Sequence, residues 1–200
     1  MKVLVVYCHP VEASYGAALH AAVLDGLSSA DHEITDVDLY RENFDPVLKR
    51  EERLKYNDPA SNSEGVRRYT EQLSSADGLV LVYPSWWYGL PAMLKGYFDR
   101  VWLPGVAFDL LSHGRIGTAR LCRLNRIVVV TTYGSPWWLI RLYLADPTRK
   151  FVSRGLRRIC GGHCHIYWFV KYDMDRSTHL ARSSFIEKVR KGVARIYDCR

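Results

Sequence analysis

The sequence predicts a doubly wound α/β domain, a five-stranded parallel sheet forming one domain over residues 1–200. Three observations predict it. Short apolar runs such as Val3-Leu4-Val5-Val6, Gly78-Leu79-Val80-Leu81-Val82 and Ile127-Val128-Val129-Val130 recur between Gly and Pro, as strands buried on both faces do. Stretches with apolar residues three and four apart separate these runs, which gives a β-α alternation. At 200 residues the chain is long enough for one sizeable core, and it shows no repeat, low-complexity tract or linker.

Residues 2–8 read as the first strand. A helix follows, with Ser14 as its N-cap and Ala18, Leu19, Ala22, Val23 and Leu27 on its apolar face. Residues 33–40 alternate Val37 and Leu39 against Asp36 and Asp38, which suits a second strand near an edge. Residues 43–63, with Pro46 and Pro59, form a long surface excursion. Helical character returns over residues 66–76, and residues 78–83 are the third strand. Pro91 opens the next helix as its first residue, with Leu90, Leu94, Phe98 and Val101 along one face. Residues 103–125, holding Pro104, Gly105, Gly114 and Gly117, read as irregular. Residues 126–132 are the fourth strand, and residues 133–147 a loop with a short helix. A helix over 149–159, a fifth strand over 163–170 and a closing helix over 177–197 complete the chain.

Composition excludes several classes. Hydrophobic residues make up 48% and charged residues 24%, ordinary for a soluble globular protein. The apolar start at Lys2 meets His9-Pro10 within a few residues, too soon for a signal peptide or a membrane span. Five scattered cysteines suit a reducing compartment, and the expected location is the cytoplasm. The formal charge is +7, yet the basic residues are dispersed over 53–68, 115–126, 149–158 and 182–200, with no nucleic-acid motif among them. No nucleic-acid partner is expected. Such a field still draws in anionic substrates and phosphorylated cofactors.

Ligands of open α/β sheets bind outside the carboxyl ends of the strands, and in the doubly wound strand order 2-1-3-4-5, the order expected here, strand ends one and three flank the switch point with strand four beside them, so their loops face a common crevice. The first loop, Cys8-His9-Pro10-Val11-Glu12-Ala13-Ser14-Tyr15-Gly16, leads into a helix whose unpaired amides and dipole suit a phosphate; Ser14 and His9 are further donors there, although taken singly Ser14 reads first as a structural cap and His9 as a loop residue bonded to backbone. Neither G-x-G-x-x-G nor the Walker pattern is present, which excludes the dinucleotide-fingerprint and NTPase readings. The second loop, Tyr83-Pro84-Ser85-Trp86-Trp87-Tyr88-Gly89-Leu90-Pro91, holds three aromatics that cannot all enter the core. At least one must line the crevice as a wall for a flat ligand. The third, Thr131-Thr132-Tyr133-Gly134-Ser135-Pro136-Trp137-Trp138, can present backbone N–H groups to a ring that gains negative charge, or Thr131 and Thr132 simply finish a strand. Phosphate seat, aromatic wall and donor-rich edge together point to a flavin mononucleotide moiety.

Several segments, read in register over residues 2–134, resemble the NAD(P)H:quinone oxidoreductase family, the DT-diaphorase-like group with the flavodoxin-like fold. They are His9 with Ser14-Tyr15, Asp38-Leu39-Tyr40 with Asn43-Phe44-Asp45-Pro46, the run from Pro84 through Trp87-Tyr88-Gly89-Leu90-Pro91-Ala92 and Leu94-Lys95-Gly96 to Arg100, and Thr131-Thr132 with Gly134. The resemblance implies a flavin reduced by NAD(P)H and reoxidised by a quinone or similar acceptor in ping-pong steps, in a homodimer. It implies FAD, with FMN as the alternative. His9, Ser14, Tyr15 and Gly16 would hold the phosphate region; Pro84, Ser85, Trp86, Trp87 and Tyr88 would line the ring; Thr131, Thr132, Tyr133 and Gly134 would border its polar edge. The family's charge-stabilising Tyr and His lie downstream of a Thr-Thr-Gly-Gly loop. Here Tyr133 replaces the first Gly and no His occurs before His163, so Tyr133, Arg141 and Tyr143 are the candidates for that catalytic role.

Two other readings compete. One is a flavin-binding ancillary or electron-transfer partner of a transporter or redox chain, against which the positive charge counts, because carriers that dock on basic partners are acidic. The other is a flavin-free sheet domain, which would need an acidic cluster at strand ends one and three. Cys160-Gly161-Gly162-His163-Cys164-His165 reads as a strand entry and not as a metal site. Asp173-Met174-Asp175 reads as the cap of the last helix. Trp137 and Trp138 either cover the flavin or fill a subunit contact.

Overall fold

A computed structural model describes residues 1–110 and 116–198. Along the chain the strands are β1 (Lys2–Tyr7), β2 (Glu33–Asp38), β3 (Gly78–Pro84), a short antiparallel pair β4 (Phe108–Leu110) and β5 (Ile116–Ala119), then β6 (Arg126–Thr132) and β7 (His165–Lys171). The helices are α1 (Tyr15–Leu27), α2 (Arg50–Lys55), α3 (Arg67–Ser75), α4 (Ala92–Val101), α5 (Pro147–Lys150), α6 (Arg157–Ile159) and α7 (His179–Asp198), with a wide π-type turn over Phe151–Leu156 joining α5 to α6. Five strands make one parallel sheet in the order β2-β1-β3-β6-β7, which is the predicted topology. No helix of the described residues is long and apolar enough to cross a membrane.

The alternation of side chains along each strand divides the core into two layers. Val3, Val5, Val80, Val82, Val128 and Val130 face α1 and α7. Leu4, Val6, Leu79, Leu81, Ile127 and Val129 face the opposite layer, with Leu73 of α3 and Leu94 and Val101 of α4. Each such buried side chain contributes about 1.5–3 kcal/mol. Both faces are covered, which is why the strands read as unbroken apolar runs.

Register places the functional loops. Val82 of β3 lies beside Tyr7 of β1 on one side and Val130 of β6 on the other, and Pro84 pairs with Thr132. The aromatic loop and the third loop therefore leave the sheet level with each other. Ser85 N–H donates to the Thr132 carbonyl at 2.8 Å just beyond the last strand pair.

Several expectations are corrected. Pro91 is the N-cap of α4 and not its first helical residue. The excursion over 43–63 contains α2, a helix with no buried residue and so no apolar stripe to read; its signal was the order of charge, Glu51 and Glu52 first and Arg53 and Lys55 last. The segment over 103–125 is not wholly irregular, since it carries β4 and β5, whose three and four residues are too short for periodicity to register. Gly114, Arg115 and Arg200 lie outside the described residues. Asp173 and Asp175 do not cap α7, because Thr178 does, its hydroxyl accepting from Ala181 N–H at 3.2 Å.

Candidate functional site

The first loop forms a seat at the start of α1. Ser14 has the extended backbone of an N-cap, and its hydroxyl accepts from Ala17 N–H at 3.1 Å. His9 curls over the same end, with its Nδ1 accepting from Val11 N–H at 3.1 Å. A Cβ on Gly16 would lie 3.3 Å from the His9 ring and 3.5 Å from the Ser14 hydroxyl, so the absent side chain leaves room at the helix start. The amides of Tyr15 and Gly16 have no backbone partner among the described residues. This donor set suits a phosphate. Tyr15 itself turns away, its hydroxyl donating to the Arg182 carbonyl of α7 at 3.1 Å. Cys8 is fully buried behind the loop, where burial pushes its thiol up to about 12, and it is no nucleophile. Ser14→Ala is expected to cost about 1 kcal/mol of stability without ligand, read from urea unfolding.

The aromatic loop closes into a tight turn. Trp86 and Gly89 exchange backbone hydrogen bonds at 3.3 and 3.0 Å, and the two residues between them, Trp87 and Tyr88, both have left-handed backbones, with φ of 50° and 61°. Turns of this kind select Asn and Gly, and bulky side chains held there cost roughly 1–2 kcal/mol each. Strain of this sort collects at ligand sites. Its consequence here is that Trp87 stands 97% exposed while Trp86 leans toward His9, the ring centroids 6.1 Å apart. The Ser85 hydroxyl donates to the Gly89 carbonyl at 3.3 Å and fastens the turn.

The third loop is braced from the segment after β7. Tyr133 N–H donates to the Lys171 carbonyl at 2.9 Å, Asp173 N–H to Ser135 at 3.0 Å and Met174 N–H to Tyr133 at 3.1 Å. A Cβ on Gly134 would fall 2.8 Å from the end of the exposed Asp175 carboxylate, which would have to turn away to admit it. Ser85, Trp87, Tyr88, Tyr133, Gly134 and Ser135 line a cleft of about 240 Å³ between the second and third loops.

The structure thus gathers Ser85, Trp87, Tyr88, Tyr133 and Gly134 at one cleft, with His9, Ser14 and Gly16 beside it and Pro84 at the end of β3. Other expected residues sit elsewhere. Thr131 is fully buried next to Tyr83, so its side chain packs the core while Thr132 is half-buried. Tyr133 contributes backbone to the cleft, but its ring is buried, stacked on Tyr172 at 5.5 Å, and its hydroxyl donates to Asp146 at 3.4 Å. Burial, then the Asp146 carboxylate, hold this phenol well above its usual range. Tyr143 projects into solvent, and Arg141 lines a different hollow with Arg149 and Arg154. Neither reaches the cleft lining. Asp146 was missed by sequence reasoning; nothing in its local sequence marks a residue that accepts from the Tyr133 hydroxyl and the Arg149 amide at once. Among the described residues no group of three His, Cys, Asp or Glu is placed to hold a metal.

Comparison with known proteins agrees with this geometry. A family model described as the flavodoxin-like fold matches residues 1–166. The chain is 38% identical over 108 residues to YcaK, an uncharacterised NAD(P)H oxidoreductase of Escherichia coli (strain K12), covering 54% of this chain and 55% of that protein. It is 32% identical over 109 residues to an FMN-dependent NADH:quinone oxidoreductase of Coprothermobacter proteolyticus, covering 54% and 53%. The chain thus spans about half the length of these curated relatives. The solved NAD(P)H:quinone oxidoreductase of Methanothermobacter marburgensis superposes over 98% of this chain and 97% of that one, with a TM-score of 0.82 at 28% identity. The chain belongs to the flavodoxin-like family, alongside proteins named NAD(P)H oxidoreductases and NAD(P)H:quinone oxidoreductases.

Proposed function

We propose that this protein is a flavin-dependent oxidoreductase of the quinone-reductase type, carrying two electrons from NAD(P)H to a quinone or similar small acceptor in alternating ping-pong steps. The observation that carries this reading is the strained turn that holds Trp87 almost fully exposed beside a donor-rich loop and a helix start whose Tyr15 and Gly16 amides have no backbone partner among the described residues. The fit rests on the donor set: amides of Tyr15 and Gly16 with the Ser14 hydroxyl for a phosphate, Trp86, Trp87 and Tyr88 for the faces of a ring, and Gly134 and Ser135 for its polar edge. When bound, the flavin supplies the two-electron chemistry. The protein's part is to orient it, to keep water from one face, and to offset charge at the polar edge with fixed N–H dipoles. One cleft serves donor and acceptor in turn, which is the reason for the alternation.

The cofactor in this reading is FMN. The three loops supply a seat for a phosphate, a ring and a polar edge, and the relative whose name specifies a flavin is FMN-dependent; the expected preference for FAD is replaced accordingly. We further propose a homodimer in the cytoplasm. Trp137 and Trp138 at the end of the third loop stand exposed with Leu142 and Tyr143 just beyond it, an apolar surface that suits a subunit contact beside the cleft.

The test is the mass of the chromophore released from purified protein, together with NADH and NADPH oxidation in the presence of menadione. Bound FMN with turnover is expected. Flavin without turnover would favour the ancillary-partner reading, and a protein that binds neither FMN nor FAD would end both. Trp87→Ala is expected to lower flavin affinity or turnover about tenfold or more while leaving unfolding stability within about 0.5 kcal/mol, since the side chain packs against almost nothing. Equal losses in both measurements would make Trp87 a structural residue.

A further inference from the structure

The positive charge of this protein is not spread evenly. Between Leu110 and Tyr172 the sequence holds eleven Lys and Arg and a single acid, Asp146. Four of these cations, Arg141, Arg149, Lys150 and Arg154, converge with Ser153 on one hollow of about 280 Å³ between the turn Leu139–Tyr143 and the helical stretch that begins with α5. Two other cations of this stretch do find carboxylates: Arg120 pairs with Asp109 at 2.9 Å and Arg123 with Asp77 at 3.0 Å. Among the described residues these four have no carboxylate ion pair.

The lone acid does not neutralise them. Asp146 is buried, and its Oδ1 is occupied by the Arg149 amide at 3.1 Å and the Tyr133 hydroxyl at 3.4 Å. Arg149 is held in place over the Trp168 ring, its guanidinium carbon 4.9 Å from the centroid. Lys150 and Arg154 lie four residues apart on one helical stretch, a like-charge spacing that is unfavourable without a counter-charge. A concave site of this kind, with three guanidinium groups, an ammonium and a hydroxyl, has the chemistry that recognises phosphate.

Its position matters as much as its charge. Tyr133 lines the cleft and Asp146 lines the hollow, and their side chains meet at 3.4 Å, so one residue pair separates the two. We propose that the hollow is a phosphate subsite for the nicotinamide dinucleotide whose ring enters the neighbouring cleft. This rests on the oxidoreductase reading above and deepens it: it assigns the anionic part of the electron donor to Arg141, Arg149, Lys150 and Arg154. Either the diphosphate, common to NADH and NADPH, or the 2′-phosphate, present only in NADPH, supplies the anion.

The test pairs a binding measurement with kinetics, using the double variant Lys150→Gln/Arg154→Gln, two surface substitutions whose folding is checked by thermal unfolding. Adenosine 2′,5′-bisphosphate, titrated calorimetrically, is expected to bind the native protein and to bind the variant at least about tenfold more weakly. In menadione assays the KM for the dinucleotide is expected to rise by a similar factor while kcat holds. A rise for NADPH alone assigns the 2′-phosphate, and parallel rises for NADPH and NADH assign the diphosphate. No binding of the bisphosphate to native protein, or unchanged KM for both dinucleotides, would overturn the subsite. The two readings fail separately. An active enzyme indifferent to the substitutions loses only the subsite; a protein that binds the bisphosphate through these residues but never reduces menadione loses only the quinone-reductase assignment.

Discussion

Replacing Arg100 with Met is expected to destabilise the fold by about 3–5 kcal/mol, the cost of removing one partner from a buried ion pair. Arg100 of α4 is 8% exposed, over the Phe44 ring, with its Nε 3.2 Å from Glu52 Oε1. Its two terminal nitrogens donate to Glu52 Oε1 and to the Asp45 carbonyl. Met fills much of the volume but leaves both oxygens without a donor. Glu52 retains some contact with water, so the loss should sit toward the lower end of the range. Arg100→Lys keeps the charge without the planar fork and should lose less. Urea unfolding measures both, and a loss under about 1 kcal/mol in the Met variant would show the pair to be incidental.

The same pair has a pH signature. Burial alone would raise the Glu52 carboxyl, but hydrogen bonds from Arg100 and the Lys49 amide outweigh it and hold the group below its ordinary value of 4.5. A depressed carboxylate contributes stability that is present above its unfolded pKa and lost as pH falls through the folded one. Native protein should therefore lose stability on acidification below about pH 4.5, and Arg100→Met should show a shallower loss over the same interval. Unfolding curves at pH 7 and at successive lower values test this; parallel profiles would detach the effect from Glu52.

Gly96→Ala is expected to cost about 3 kcal/mol or more, the upper range for forcing atoms into a packed contact. In an exposed helix the change would be favourable by about 1 kcal/mol, because glycine is the poorer helix former. Here α4 lies so close to the excursion over 43–63 that a Cβ would fall within the contact shell of the Pro46 carbonyl oxygen and 2.5 Å from its Cα. Backbone must move to admit it. A neutral or stabilised variant in thermal or urea unfolding would mean that the excursion does not seat on α4. Both substitutions bear on the cleft as well. Arg100 and Gly96 bind α4 to the excursion, and α4 begins directly after Pro91, where the strained aromatic turn ends.

Much of this architecture was legible from residues close together in the chain. The runs at Val3, Leu79 and Ile127 announced strands because a sheet covered on both faces needs apolar side chains pointing both ways. The β-α alternation gave a parallel sheet, and the strand order of the flavodoxin-like family put the loops at His9, Trp87 and Thr132 around one crevice. Helix α2 stayed silent because it buries nothing, and the pair β4 and β5 because it is too short for a period to appear.

Sequence alone determined the fold class, the central sheet and the three loops that form the crevice, since local polarity and turn chemistry depend on neighbouring residues. Tertiary structure alone decided which way side chains point within those loops. Thr131 and the Tyr133 ring face the core, Tyr15 reaches α7, Trp87 stands in solvent on a left-handed backbone, and the backbone of Lys171, Asp173 and Met174 braces Tyr133 and Ser135 from beyond β7. It also gathered Arg141, Arg149, Lys150 and Arg154 around one hollow. These are contacts between segments tens of residues apart or between successive turns, and only packing of the whole chain chooses among the directions that the local backbone permits.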